Sequence, residues 1–236
     1  MKKNEAKTII DELTALSTEE KRQTLPRFFK TDKGEYGEGD KFLGVVVPLT
    51  RQVARGHLQA SWETLDTLMS SQWHEARLCA LLIMVLRWKR SDEEARKKAF
   101  EFYLSHSERI NNWDLVDLSA PTVVGQYLLG KPREVLYKLA ESPLLWDNRI
   151  AMVSTMGLMR GGELDDTYRL ATRLMNHPHD LMHKAIGWML REAGKRDENR
   201  LVTYLREHRL EMPRTALRYA IERLPQPLRQ ELMKKP

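Results

Sequence analysis

The chain has 236 residues, 42% hydrophobic and 31% charged, which supplies enough apolar material for a packed core and excludes a disordered chain. Its start, MKKNEAKTIIDELTAL, lacks the apolar run of a signal peptide, and no stretch approaches the roughly 18 apolar residues of a membrane span, so a cytoplasmic protein is expected. Residues 181–236 carry 13 Lys and Arg against 7 Asp and Glu, which is the whole excess of 39 over 33 and leaves residues 1–180 balanced. A basic third of this kind suits a polyanion partner, because each neutralised phosphate releases condensed counterions.

The run Gly34-Glu35-Tyr36-Gly37-Glu38-Gly39-Asp40 is glycine-rich, but no strand precedes it and its carboxylates repel phosphate. It reads as a structured turn, not a nucleotide loop. Phe42 to Val47 is the one β-like run, stopped by Pro48, which suits the first turn of a helix. Beyond it, helical spacing of apolar residues predicts helices over 73–88, 94–104, 121–129, 133–140, 147–159, 164–175, 181–194, 198–207 and 213–223. The fold is therefore expected to be all-α. Cys79 lies in the apolar run LCALLIMVL and is read as core; a lone cysteine can close neither an intrachain disulfide nor a zinc cluster.

Three segments superimpose: Arg77-Leu-Cys-Ala-Leu-Leu, Arg149-Ile-Ala-Met-Val-Ser and Lys184-Ala-Ile-Gly-Trp-Met. Their spacing is close to one or two units of about 35 residues, the size of a helix pair, and places an intermediate copy near Asn112-Trp113. Helix pairs that cannot bury their apolar faces alone must stack. The expectation is a single domain over 1–236, a superhelical solenoid of HEAT-like antiparallel helix pairs with a concave face.

His177-Pro178-His179 with His183 has a spacing a metal could use, yet Pro178 and Asp180 read as ordinary residues of a helix start and no acidic cluster accompanies them. No metal and no cofactor are expected. In Asn112-Trp113-Asp114-Leu115-Val116-Asp117, Trp113 and Asp117 are four apart, so a helix would put an indole and a carboxylate on one face. Asp114 lies three before Asp117, and one of the two could serve only as a helix cap. Ser119-Ala120-Pro121 reads as the start of the next helix. Trp188 fits an amphipathic helix and a core position equally well. Arg149 stands near the start of its helix, where the dipole disfavours a cation, and could meet an anion there.

At these residues the chain resembles the AlkD-like alkylpurine DNA glycosylases of the DNA alkylation repair superfamily. The resemblance rests on Gly37 to Gly44, Asn112 to Asp117, Trp146 to Arg149, Lys184 to Glu192 and Met212 to Tyr219. It implies that Trp113 and Asp117 are active-site residues, that Trp188 is a second cleft aromatic, and that Arg149 contacts the DNA backbone. Lys184, Arg191, Arg214 and Arg218 join Arg149 as expected DNA-binding residues. The implied activity is hydrolysis of the N-glycosidic bond of cationic N3- or N7-alkylated purines, such as 3-methyladenine and 7-methylguanine. The substrate would be double-stranded DNA, the lesion would stay in the stack without base flipping, and the setting would be base excision repair. A bacterial monomer with no obligatory protein partner, working at the nucleoid, completes that expectation. The alternative is a non-catalytic relative that binds branched or distorted DNA. One departure stands out: better-known members have a polar residue shortly after Phe-Leu-Gly, where this chain has Val45-Val46-Val47.

Overall fold

A computed structural model describes the backbone of residues 2–234 and the side chains of residues 5–234. The expected single-domain span of 1–236 thus begins and ends on residues outside the described range. The described residues form helices and connecting turns, and their only β-type pairing is an isolated bridge between Lys41 and Trp73. The all-α expectation holds. The chain separates into two compact units, one ending at Ser119 and one beginning at Ala120.

The first unit contains α1 (Lys2–Ala15), α2 (Glu19–Phe28), α3 (Val47–Gly56), α4 (Trp62–Met69), α5 (His74–Arg87), α6 (Glu93–Ser105) and α7 (Trp113–Ala120), whose last residue belongs to the second unit. At its centre is α5, buried without a break from His74 to Met84. From Leu78 to Leu86 its sequence is apolar all round, and a helical stretch with no polar stripe must be covered on every side. α3 and α4 pack on it, α1 packs on α3 and α4, and Cys79 is buried there as expected. The helices carry conventional starts: Thr18, Ser61 and Asp92 accept a backbone N–H in the first turn of α2, α4 and α6.

Residues 42–46 stay extended and unpaired with any strand, and Pro48 occupies the first turn of α3, as its fixed φ favours. Gly44 is indispensable to this path. Its φ is +94°, and a Cβ would stand 2.7 Å from the Arg22 nitrogen and 2.8 Å from the Thr18 carbonyl oxygen at the start of α2.

The second unit contains a π-helical turn (Pro121–Gln126), α8 (Glu134–Ala140), α9 (Leu145–Arg160), α10 (Asp165–Leu174), α11 (Asp180–Gly194), α12 (Glu198–His208), α13 (Arg214–Ile221) and α14 (Gln226–Met233). α9 and α11 pack together as the core, with α8 and α10 against α9 and with α12 and α13 against α11. Gly187 makes one of the close contacts between α11 and α13: a Cβ there would lie 2.3 Å from the Ala216 carbonyl oxygen. The glycine before Trp188 is therefore a packing residue. The repeat seen in sequence maps onto corresponding places: Arg77, Arg149 and Lys184 all fall early in α5, α9 and α11, and the intermediate copy is α7.

One reading is corrected. Ser119-Ala120-Pro121 does not open a new α-helix, because α7 runs through Ala120 directly into the π-helical turn. Ser119 caps nothing. Its hydroxyl binds back to the Leu115 carbonyl and to Tyr103, and the wider π turn accommodates a proline that an α-helical interior would reject.

Candidate active site

In the first unit, α2, residues 42–48, the start of α5 and α7 surround a cavity of about 390 Å³. Its wall is mostly apolar and aromatic. Phe28, Val46, Val47 and Trp113 line it, and Asp117 supplies a half-buried carboxylate. The four-residue spacing thus puts Trp113 and Asp117 on one cavity, as a helix face requires.

The rings are ordered by one another. Phe29 lies along Trp113 at 5.2 Å between centroids with 21° between planes, and Phe28 meets the same indole edge-on at 5.9 Å. Phe28 is 62% exposed, an unusual exposure for a phenyl ring and one that leaves an aromatic surface beside Trp113 open to a ligand.

The two aspartates of α7 divide their roles. Asp114 is 3% exposed, and its Oδ1 accepts the Leu115 N–H while its Oδ2 lies 2.9 Å from His74 Nε2. It belongs to the packing of the helix start. Both aspartates line the cavity, but Asp117, one turn on, is only half-buried and is the more open of the two. On the other side of His74, Nδ1 is 2.7 Å from Asp40 Oδ2, and Arg77 donates to Asp40 Oδ1 at 2.5 Å. Burial alone would push the His74 pKa down, but the charge and hydrogen bond of Asp114, and then those of Asp40, outweigh it and raise it to about 9. For Asp40 burial works toward a higher pKa, and His74 and Arg77 overcome it, holding the carboxyl below its usual value.

Glu75, next in sequence, takes the backbone N–H groups of Leu43, Gly44 and Val45 at 2.8, 2.9 and 3.0 Å. It replaces the strand neighbour that this extended segment lacks. The polar group missing from Val45-Val46-Val47 leaves an aliphatic wall in its place.

The remaining expected residues lie in the second unit. Arg149 is 5% exposed on α9, and its guanidinium donates to the Leu181 carbonyl in the first turn of α11 at 2.6 Å. Trp188 is half-buried on α11. Lys184 pairs with Asp180 at 2.9 Å, Arg191 reaches Glu222 just after α13, and Arg214 donates to the Met233 carbonyl. Arg218 lines a shallow groove beside Glu222 and Arg229. The histidines at 177–183 serve the start of α11: His179 Nδ1 accepts the Leu181 N–H, His177 Nδ1 accepts the His179 N–H, and His183 Nε2 contacts the His177 carbonyl.

Phe28, Phe29, His74 and Glu75 are not picked out as site residues by the sequence, and Asp40 and Phe42 enter only within the Gly37 to Gly44 stretch. The one signal was the charged pair His74-Glu75 ahead of an otherwise apolar helix, since two ionisable groups at a core helix start need buried partners.

The family model described as "DNA alkylation repair enzyme" matches residues 9–224. Among solved structures, a predicted DNA alkylation repair enzyme from Enterococcus faecalis is similar at a TM-score of 0.67 and 16% identity, over 89% of this chain and 97% of that one. At that identity the likeness speaks for the fold. No curated protein matches the chain in sequence.

Proposed function

Because the chain belongs to the DNA alkylation repair enzyme family, we propose that it is a DNA glycosylase that releases cationic N3- or N7-alkylated purines, such as 3-methyladenine and 7-methylguanine, from duplex DNA as a step of base excision repair. The observation that carries the reading is the shared cavity of Trp113 and Asp117, a carboxylate set among aromatic and aliphatic side chains. An alkylated purine of this kind already bears a positive charge. When its bond to the sugar carbon breaks, the bonding pair goes to the base, which leaves neutral, and positive charge develops on the deoxyribose. Water then adds to that carbon and gives up a proton. No strong acid is needed to expel the base, so the protein has mainly to stabilise the sugar cation.

Asp117 supplies fixed negative charge for that cation and an acceptor for the attacking water, in an environment of low polarity where such charge acts strongly. Trp113 offers a π face, an attraction of roughly 0.5–2 kcal/mol for a cation at the ring. Trp188 is assigned the same role from α11, and Arg149, Lys184, Arg191, Arg214 and Arg218 are assigned to phosphates. The lesion stays in the duplex stack in this proposal, as the resemblance implies, and no cofactor takes part.

The deciding experiment incubates the protein with duplex DNA containing 7-methylguanine and measures free base and abasic sites. Release of base with matching abasic sites is expected. Duplex binding without base release would instead support the reading as a binder of distorted DNA.

A further inference from the structure

We propose that His74 is the positioning residue of the cavity, its doubly protonated ring joining the segment that carries Asp40 to the helix that carries Asp114 and thereby aiming Trp113 and Asp117. The inference rests on the glycosylase reading only where it speaks of catalysis.

Each nitrogen of the His74 ring faces a carboxylate oxygen, at 2.7 Å to Asp40 and 2.9 Å to Asp114. An ionised carboxylate only accepts hydrogen bonds, and a neutral imidazole has one N–H to give. With a neutral ring, one contact would set lone pair against lone pair, so both nitrogens carry protons. The surroundings fit that charge. Asp40 comes from the turn before Phe42, Arg77 from α5 and Asp114 from α7, and with His74 the four formal charges sum to zero in a site where His74 is 1% exposed. The neighbouring Glu75 is turned to the backbone of 43–45, and Arg109, after α6, is tied to the Ser71 carbonyl that Arg77 also binds.

Two routes lead from this ring to the site. Asp114 lies in the first turn of α7, directly after Trp113 and one turn before Asp117, so the bond to His74 fixes the rotation of that helix. Phe42 stacks on the imidazole at 4.4 Å and 21°, Phe29 stacks on Phe42 at 5.0 Å, and Phe29 lies along Trp113. Together with Glu75, which holds the backbone at 43–45, the first two residues of α5 clamp both walls of the cavity. Loss of the proton would leave two buried carboxylates against one guanidinium and release α7 from the turn.

The test uses the full chain labelled with ¹⁵N. At pH 7.5, two ring N–H signals are expected for His74. The Trp113 indole signal, identified by its loss in Trp113→Phe, should move with a midpoint near the raised His74 value of about 9. In His74→Gln the Trp113 signal should be shifted and broadened, and its alkaline transition lost, while the Trp188 signal stays in place. Single-turnover release of 7-methylguanine should fall about tenfold to a hundredfold, with duplex affinity held within about twofold. An unchanged Trp113 signal in folded His74→Gln overturns the proposal. Should that variant fail to fold, the wild-type titration decides: a singly protonated ring at pH 7.5, or a Trp113 signal constant up to pH 10, also overturns it. A wild-type chain that releases no base refutes the glycosylase reading alone, because the Trp113 signals still decide the positioning role.

Discussion

Beside the cavity of the first unit, at the start of α5, four charges are buried and mutually neutralised: Asp40, His74, Arg77 and Asp114 are all 8% exposed or less. On α11 of the second unit the charges lie in partly exposed ion pairs, Lys184 with Asp180 and Arg191 with Glu222 at the end of α13. Arg149 is the exception there, buried and bound to a carbonyl. The contrast separates two uses of charge. A buried, balanced set holds one geometry, because removing any member leaves an uncompensated charge. Exposed pairs contribute little to stability and can exchange a carboxylate for a phosphate at small cost.

The largest break in that comparison should come from Asp117→Asn, which keeps size and helix position while removing the charge that faces the cavity. Single-turnover base release should fall by about 10²–10³, the usual loss for one preorganised electrostatic group. Affinity for duplex should be unchanged or slightly higher, since a carboxylate near phosphates repels them. Asp114→Asn should instead reveal itself in thermal unfolding, because its carboxylate is bound to His74. Wild-type rates in Asp117→Asn would remove the catalytic assignment.

Histidines of the two units should give stability opposite slopes with pH. The folded pKa of His74 is raised from 6.5 to about 9, so its stabilisation is complete below pH 6.5 and is lost as pH rises through 9. The loss is on the order of 3 kcal/mol. His177 and His179 have lowered values, first through burial and then, for His177, through the adjacent histidines. Their effect has the other sign: stability falls as pH drops below 6.5 through their folded values. Denaturant unfolding at a series of pH values checks both, and a flat curve between pH 6.5 and 9 would contradict the doubly protonated His74.

The two tryptophans sharpen the comparison further. Trp113 and Trp188 are both half-buried, so Trp113→Ala and Trp188→Ala should keep their helicity by circular dichroism. Each should slow base release by roughly 2- to 30-fold, corresponding to one cation–π contact. The Trp113 variant should also loosen Phe29, its stacking partner. A variant that loses helicity together with activity would return that indole to the core.

The smallest effects belong to the basic residues of the second unit. Arg149→Ala and Lys184→Ala should each reduce the slope of log affinity against log salt by roughly 0.9, equally for all duplex sequences. They should part in stability. Lys184→Ala should change it by less than about 1 kcal/mol, whereas Arg149→Ala, by stranding the Leu181 carbonyl, should cost about 1–3 kcal/mol. A salt-independent affinity would refute the phosphate assignment.

Much of this molecule is local and therefore written in the order of its residues. Helical spacing locates α5, α6 and the helices from α8 to α13 to within a few residues, because an amphipathic or wholly apolar pattern acts over one or two turns. The pairing of Trp113 with Asp117 is legible for the same reason. The earlier helices were less so: α2 is polar, contains Pro26 and fully buries no residue, and α4 is only eight residues long. What the residue spacing could not decide was which aspartate of α7 is taken up by packing, since the answer depends on His74, 40 residues from Asp114. Nor could it place Asp40, Phe29, Phe42 and Glu75 around that ring. Contacts between residues so far apart in the chain carry no periodic signal and arise only when α2, the 40–48 segment, α5 and α7 pack together. Burial then turns a histidine, two aspartates and an arginine into one neutral unit, and that unit fixes the cavity.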